Sequence, residues 1–198
     1  MQKRSATTRA QILNAAERIF AHSGFDSSGV AEICQAAGVS KGAFYYHFPS
    51  KQAVFLELLQ NWLAELEGHL EQVRQENQTV PQSLLQMASA MRQVFRAADG
   101  RLPMFLEFWT QASRDPTFWA ATIAPYRQFQ RYFSELVTQG VAQGSLKKVD
   151  PQASSRVIIA LAVGMLFQGL LDPQGDDWAQ VTQQGMRYLM TGLAAEAL

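Results

Sequence analysis

Between Ser40 and Pro49 the chain has room for about two turns of helix and no more. Ser40 carries the short oxygen-bearing side chain of an N-cap, and Pro49 has no N–H to continue a helix with. Within those two turns Phe44 and Phe48 stand four apart and share one face, so Gly42, Ala43 and Tyr46 point the other way, with Lys41 and Tyr45 at the flanks. A helix face left to water normally carries Glu, Lys and Gln; this one is small, flat and aromatic, the composition of a surface on which something docks. Upstream, Gly29 to Ala37 reads as another short helix, with Val30, Ile33, Cys34 and Ala37 at i, i+3, i+4 and i+7, and Gly38 supplies the turn between the two. Helix, glycine turn and short second helix predict a helix-turn-helix.

With these residues in view, Thr8 to Leu58 resembles the DNA-binding head of the TetR family of transcriptional regulators. The matching pieces are Ile12-Leu13-x-Ala15-Ala16-x-x-Ile19-Phe20, Gly24-Phe25, Ala37-Gly38-Val39-Ser40-Lys41-Gly42 and Phe44-Tyr45-x-His47-Phe48-x-Ser50-Lys51, in order and at family spacing. The resemblance implies an all-α fold of about nine helices. A three-helix head with the helix-turn-helix (residues 1–52) would be joined by a long fourth helix to a larger helical ligand-binding and dimerisation domain (53–198).

The formal net charge is zero, which argues against a generic polyanion binder, yet the charge is unevenly spread. Residues 1–52 hold six Lys and Arg against Glu17, Asp26 and Glu32, a net of +3, which leaves −3 for the remainder. The charge therefore separates with the expected domains. Cys34 is the single cysteine, so an internal disulfide framework is excluded; its place in the apolar stripe marks it as a small core residue. The opening stretch from Met1 to Ala10 has no apolar segment of the kind a secretory signal needs, and a cytoplasmic protein is expected. The long apolar run from Val157 to Leu171 contains Gln168 and stops at Asp172-Pro173, shorter than the roughly 18 residues a membrane span requires, so no membrane partner is expected.

Along the rest of the chain the helical period recurs. Thr8 and Gln11 have capping-box spacing before a stripe of Ile12, Leu13, Ala16, Ile19 and Phe20 that ends at Ser23-Gly24. Ser50 caps a helix of about 25 residues, about 37 Å long, running through Leu58, Trp62 and Leu66 to Val73. Further helices are expected from Val80-Pro81 to Asp99-Gly100, around Met104 to Ala112, from Asp115-Pro116 through a kink or break at Pro125 to Gly144, from Asp150-Pro151, and from Trp178 to about Ala195. No stretch reads as a strand, internal repeat or low-complexity tract.

Catalysis lacks its parts. Gly38-Val39-Ser40-Lys41-Gly42 formally fits the G-x-S-x-G nucleophile elbow, but that elbow needs a strand running into it, and a helix precedes this one. His22, His47 and His69 are scattered without metal-ligand spacing, and no phosphate-binding glycine loop is present, so no enzyme, metal or cofactor is expected.

The parts needed for DNA are there. Lys41, at the start of the second short helix, can donate to guanine O6 or N7; Gly42 and Ala43 let the backbone approach a major groove, with the Ala43 methyl able to meet a thymine methyl. Tyr45 and Tyr46 offer hydroxyl donors on apolar rings. The family resemblance implies phosphate or sugar contact for Tyr45, phosphate or base edge for Tyr46, backbone proximity for His47 and Lys51, and phosphate donors in Ser27 and Ser28. Each has an ordinary structural alternative: Tyr45 half-buried against the first helix, His47 bonded to a neighbouring carbonyl, Lys51 a solvated first-turn residue. It is their common face that points to DNA.

The C-terminal part is rich in large side chains, among them Met87, Met91, Phe95, Phe105, Phe108, Trp109, Tyr126 and Phe129. Core filling accounts for any one of them; the resemblance implies a cavity for an apolar or amphipathic effector among them. The helix from Pro151 is apolar almost all round, which demands partners on every side. The resemblance implies a homodimer built as a four-helix bundle from the last two helices, with Val157, Leu161, Gly164, Met165, Gln168, Met186, Leu189 and Leu193 at the contact; a monomeric bundle with this helix at its centre is the alternative. The whole reads as a ligand-responsive regulator, a repressor by family habit, that binds a palindromic double-stranded DNA operator as a homodimer and answers to a small-molecule effector. A family member controlled by a protein or nucleic-acid effector, and an all-helical ligand carrier without DNA binding, remain as alternatives.

Overall fold

In the computed structural model the described residues are 2–76, 79–97, 107 and 110–195, with side chains described for all of these except 2–5, 90–97 and 122. Eight helices have both ends among them, α1 (Gln2–Ser23), α2 (Val30–Ala37), α3 (Lys41–His47), α4 (Lys51–Glu76), α5 (Val80–Ala97), α6 (Pro116–Ala142), α7 (Pro151–Leu171) and α8 (Trp178–Leu193), and residues 107 and 110–112 are helical too. No strand occurs among the described residues; an isolated bridge joins Leu146 to Ala194. The expected helix around Met104 to Ala112 lies largely outside the described residues.

Most helix starts follow from side-chain caps written in the sequence. Ser50 accepts the Ala53 N–H at 3.2 Å, Asp115 that of Thr117 at 2.7 Å, Asp150 that of Gln152 at 2.9 Å and Asp177 that of Gln180 at 3.1 Å. Two boundaries differ from expectation. Helix α1 begins at Gln2, upstream of the Thr8 capping signal, because no glycine or proline interrupts residues 2–8. Helix α6 runs on through Pro125 as one element. Interior packing on both sides of a proline can outweigh the single hydrogen bond it removes.

The chain folds as two compact units. The first gathers the described residues of Met1–Glu65 and Gly100–Thr122, the second those of Leu66–Asp99 and Ile123–Leu198, so α4 contributes to both. In the first, α1 packs on α2 and α3 around Ile12, Ala16, Phe20, Phe25, Ile33, Phe44, Phe48, Val54, Phe55 and Phe118. Phe25 stands at the centre of its rings, with centroids 5.4 Å from Phe20, 4.6 Å from Phe55 and 6.1 Å from Phe118. Cys34 is buried there, and burial pushes its thiol pKa up, the property of a core residue rather than a reactive one.

In the second unit α5 packs against α8 and α8 against α7, around Leu70, Val80, Leu84, Met87, Leu136, Val137, Ile158, Met186 and Met190. Helix α7 begins at Pro151, where the Asp150-Pro151 pair puts its start. An 18-residue stretch within its 21 residues reaches mean hydropathy 1.7, so the helix is long and apolar enough to cross a membrane on those two measures alone, although the apolar run from Val157 is by itself shorter. Ser154, Ser155, Ile158 and Gly169 face inward, while Val157, Val163, Phe167 and Leu171 are exposed.

Candidate nucleic-acid interface

The second short helix is set by backbone geometry at its entry. Gly38 takes φ 67° and ψ 33°, a left-handed conformation that a side chain resists, and ends α2. The N–H groups of Gly38 and Val39 return to the carbonyls of Gln35 (3.2 Å) and Cys34 (3.0 Å), so the last turn of α2 is closed as the chain reverses. Ser40 then caps α3 by accepting the Ala43 N–H at 3.1 Å. That assigns the serine of the apparent nucleophile elbow to helix capping. At the far end Phe48 leaves helical space at φ −138° and ψ 122°, as the residue before a proline must.

The inner face of α3 is anchored and its outer face is free. Phe44 and Phe48 are fully buried with their rings 6.1 Å apart, and the Arg9 guanidinium lies 4.8 Å over the Phe48 ring while pairing with Glu57. Outside, Lys41 and Gly42 are exposed, Ala43 and His47 half-buried, and Tyr45 and Tyr46 keep 54% and 81% of their surface. Tyr45 leans edge-on against Phe44 and Tyr46 against the His47 ring. Among the described residues a Cβ at position 42 would meet only the Ser40 Oγ, at the ordinary contact distance of 3.8 Å.

Ser27 and Ser28, at the entry to α2, part company. Ser27 is exposed, whereas Ser28 is buried and its hydroxyl donates to the Gly24 carbonyl. Lys51, expected near phosphate, turns inward: its Nζ donates to the carbonyls of Phe25 (2.5 Å) and Ser28 (2.8 Å) and sits 4.2 Å over the Phe25 ring. Burial lowers its pKa, opposed by the charges of Asp26 and Glu107. The physical reason is local, because the link between α1 and α2 leaves carbonyls without helical donors and Lys51 stands in the first turn of the helix beside them.

Two further residues of this site escape the motif. Glu107 accepts the Phe25 N–H at 2.6 Å and the Asp26 N–H at 3.0 Å, and Gln111 donates to the Asp26 carboxylate at 2.7 Å. The one signal in the sequence is that Glu107 interrupts the apolar run from Leu102 to Trp109, where a lone carboxylate demands a partner. Among the described residues no three His, Cys, Asp or Glu side chains converge as a metal site.

A family model described as bacterial regulatory proteins, tetR family, matches residues 12–58, and one described as BetI-type transcriptional repressor, C-terminal, matches residues 81–194. The chain belongs to the TetR family. It is a helix-turn-helix transcriptional regulator. Among TetR-type relatives, the HTH-type transcriptional regulator UidR of Escherichia coli (strain K12) is 25% identical over 98% of this chain and 96% of its own. Solved structures share the fold, among them two that hold a ligand. A regulator from Saccharomonospora viridis in complex with choline superposes with a TM-score of 0.82 at 19% identity, covering 95% of this chain and 98% of that one. FadR from Bacillus subtilis in complex with stearoyl-CoA gives 0.81 at 19%, covering 92% and 98%.

In this TetR-family chain the residues expected to line an effector cavity are unevenly described. Met87 is buried in the core of the second unit, Phe129 packs against that core and Tyr126 is half-buried. Met91 and Phe95 lie on α5 with their side chains outside the description, and Phe105, Phe108 and Trp109 lie outside the described residues. Close by, Arg74 holds Glu71 through two bonds of 2.7 and 2.8 Å, which drops the Glu71 carboxyl pKa to about 2. Tyr132 has a buried hydroxyl with no hydrogen-bond partner among the described residues. Of the residues expected at a chain–chain contact, Val157 and Gln168 are exposed, Gly164 and Met165 half-buried, and Leu161, Leu189 and Leu193 pack against the core. Met186 is instead enclosed in that core, since its phase on α8 turns it inward.

Proposed function

We propose that this regulator is a homodimeric repressor that grips a palindromic operator through α3 and releases it when a small apolar or amphipathic molecule binds in the helical C-terminal part. The observation that carries the DNA half is the division of α3 into a fully buried phenylalanine face and an outer face of Lys41, Gly42, Ala43, Tyr45, Tyr46 and His47, with Ser27 exposed at the entry to α2. Lys41 reads a base edge, the two tyrosines and His47 hold the backbone, and the net charge of +3 over residues 1–52 supplies the attraction. On this reading residues 1–52 are the DNA-binding domain and 53–198 serve effector and dimer. Lys51 and Ser28 support the interface from inside.

The dimer is supported by what α7 leaves uncovered. Val157, Val163, Phe167 and Leu171, with Tyr188 on α8, form apolar surface that a second copy would bury. Two copies are also what a palindrome needs, with recognition helices about 34–36 Å apart. The effector half is supported by relatives of the same fold that hold choline and stearoyl-CoA. Those two ligands share little chemistry, so they argue for an effector site here and leave its occupant open.

The test is selection of duplexes from a random-sequence library by the full-length protein, followed by a salt series. The expected product is a palindrome bound with a slope of log K against log salt near −7, for about eight phosphates neutralised per dimer. Failure to enrich any sequence, or binding indifferent to salt, would overturn the reading.

A further inference from the structure

We propose that Glu107 is a positioning residue for operator binding: from more than eighty positions downstream it completes the helix-turn-helix by holding the backbone of the link between α1 and α2. The inference rests on the assignment of α3 as the DNA-contacting helix.

The need for such a residue starts at Gly24. Its N–H closes the last turn of α1 onto Phe20 at 3.0 Å, and its own φ of 81° then swings the chain out of the helix. The amides of Phe25 and Asp26, which a continuing helix would have satisfied, become free donors. Glu107 accepts both with its two oxygens, a pair of charge-assisted bonds of which the shorter is 2.6 Å. A Cβ at Gly24 would lie 3.5 Å from each of those oxygens, so the carboxylate sits close against the backbone. Gln111 adds a bond to the Asp26 side chain.

On the other side of the same link Lys51 takes the carbonyls of Phe25 and Ser28. The turn is thus held by an anion on its amides and a cation on its carbonyls, with the Phe25 ring fixed among Phe20, Phe55 and Phe118. Helix α2 follows directly from Ser28 and Gly29, and α3 follows α2 through the single turn at Gly38. Whatever sets the direction in which the chain leaves this link sets the direction of the recognition helix. Residues 8–58, which carry the whole family motif, contain an acceptor for neither amide; the segment that does lies beyond α5. Glu107 reaches no DNA-facing atom of α3, so its contribution is the direction of that helix.

The experiment uses full-length Glu107→Ala and Glu107→Gln against the duplex that the wild type selects. Helical content by circular dichroism serves as the folding control. The expected result is wild-type helicity, a loss of operator affinity of about tenfold for the alanine variant, an intermediate loss for glutamine, whose single carbonyl oxygen can accept one of the two bonds, and an unchanged salt slope. An unchanged slope separates positioning from charge, because a carboxylate facing phosphate would on removal strengthen binding. Affinity equal to wild type in both variants, or a gain, would overturn the proposal. So would loss of helicity in both, which would make Glu107 a folding requirement. If the wild type itself enriches no duplex, the assignment of α3 fails instead.

Discussion

The ammonium of Lys51 donates to the Ser28 carbonyl at 2.8 Å, tying the first turn of α4 to the start of α2. A lysine engaged in this way acts on stability before it acts on DNA. Lys51→Met, which keeps the stem and removes the charge, should destabilise the protein by about 1.5–3 kcal/mol in denaturant unfolding, the range for hydrogen bonds to a charged group. Lys41→Met, on the exposed face, should leave the unfolding midpoint within about 0.5 kcal/mol of wild type and lower operator affinity. A reversal of the two patterns would return Lys51 to the phosphates.

That exchange of roles marks the limit of what sequence conveys here. Ser40, Ser50, Asp150 and Asp177 cap helices because a short acceptor before an apolar repeat is a local signal, and Gly38 and Pro49 are local in the same sense. The buried pair Phe44 and Phe48 and the exposed pair Tyr45 and Tyr46 follow from helical phase alone. Lys51, Ser28 and Glu107 are different: their positions were visible, yet their partners are main-chain groups whose availability depends on how the link between α1 and α2 folds. Phase also misplaces Met186, because α8 has neighbours on more than one side and periodicity does not say which is this chain and which a second one.

Phe44 and Tyr46, two positions apart, should separate folding from recognition. Phe44→Ala empties a fully buried site and should cost about 3–5 kcal/mol of stability, unfolding the head at moderate temperature. Tyr46→Ala removes a ring that is mostly in solvent and should leave the melting curve in place while operator binding weakens. Calorimetry with gel shifts on the same samples checks both. Wild-type operator affinity in Tyr46→Ala would remove that tyrosine from the interface.

Tyr132 offers a pH prediction. Burial, with the Glu71 charge nearby, raises its pKa from the usual 10 to about 12. The folded state therefore holds this proton where the unfolded chain releases it. Stability is fully present below pH 10 and is lost as pH rises toward 12. Tyr132→Phe should remove that alkaline loss, and since the hydroxyl has no partner among the described residues it should also stabilise the protein at neutral pH by about 1 kcal/mol. Unfolding midpoints at pH 7 and pH 11 test both parts. A neutral-pH loss of more than 1 kcal/mol would mean that the hydroxyl is bonded after all.

The dimer is tested most cleanly at Gly164. A charge introduced into a core unfolds a protein whether or not it has a partner, so the useful position is one where the single chain has room. Gly164 lies on α7, and a Cβ added there would meet no atom within 4 Å. Glutamate at this site costs the isolated chain little beyond an ordinary helix substitution. Between two copies packed through the exposed face of Val157, Val163 and Phe167, the same carboxylate would be buried without a counter-charge, a penalty of several kcal/mol. Gly164→Glu should therefore sediment as a folded monomer at micromolar concentration, with wild-type helicity, where the wild type sediments as a dimer. Operator affinity should fall with it, because each half-site is then bound alone. A wild type that is monomeric at micromolar concentration would remove the interface altogether. A dimeric Gly164→Glu would move it off this face of α7.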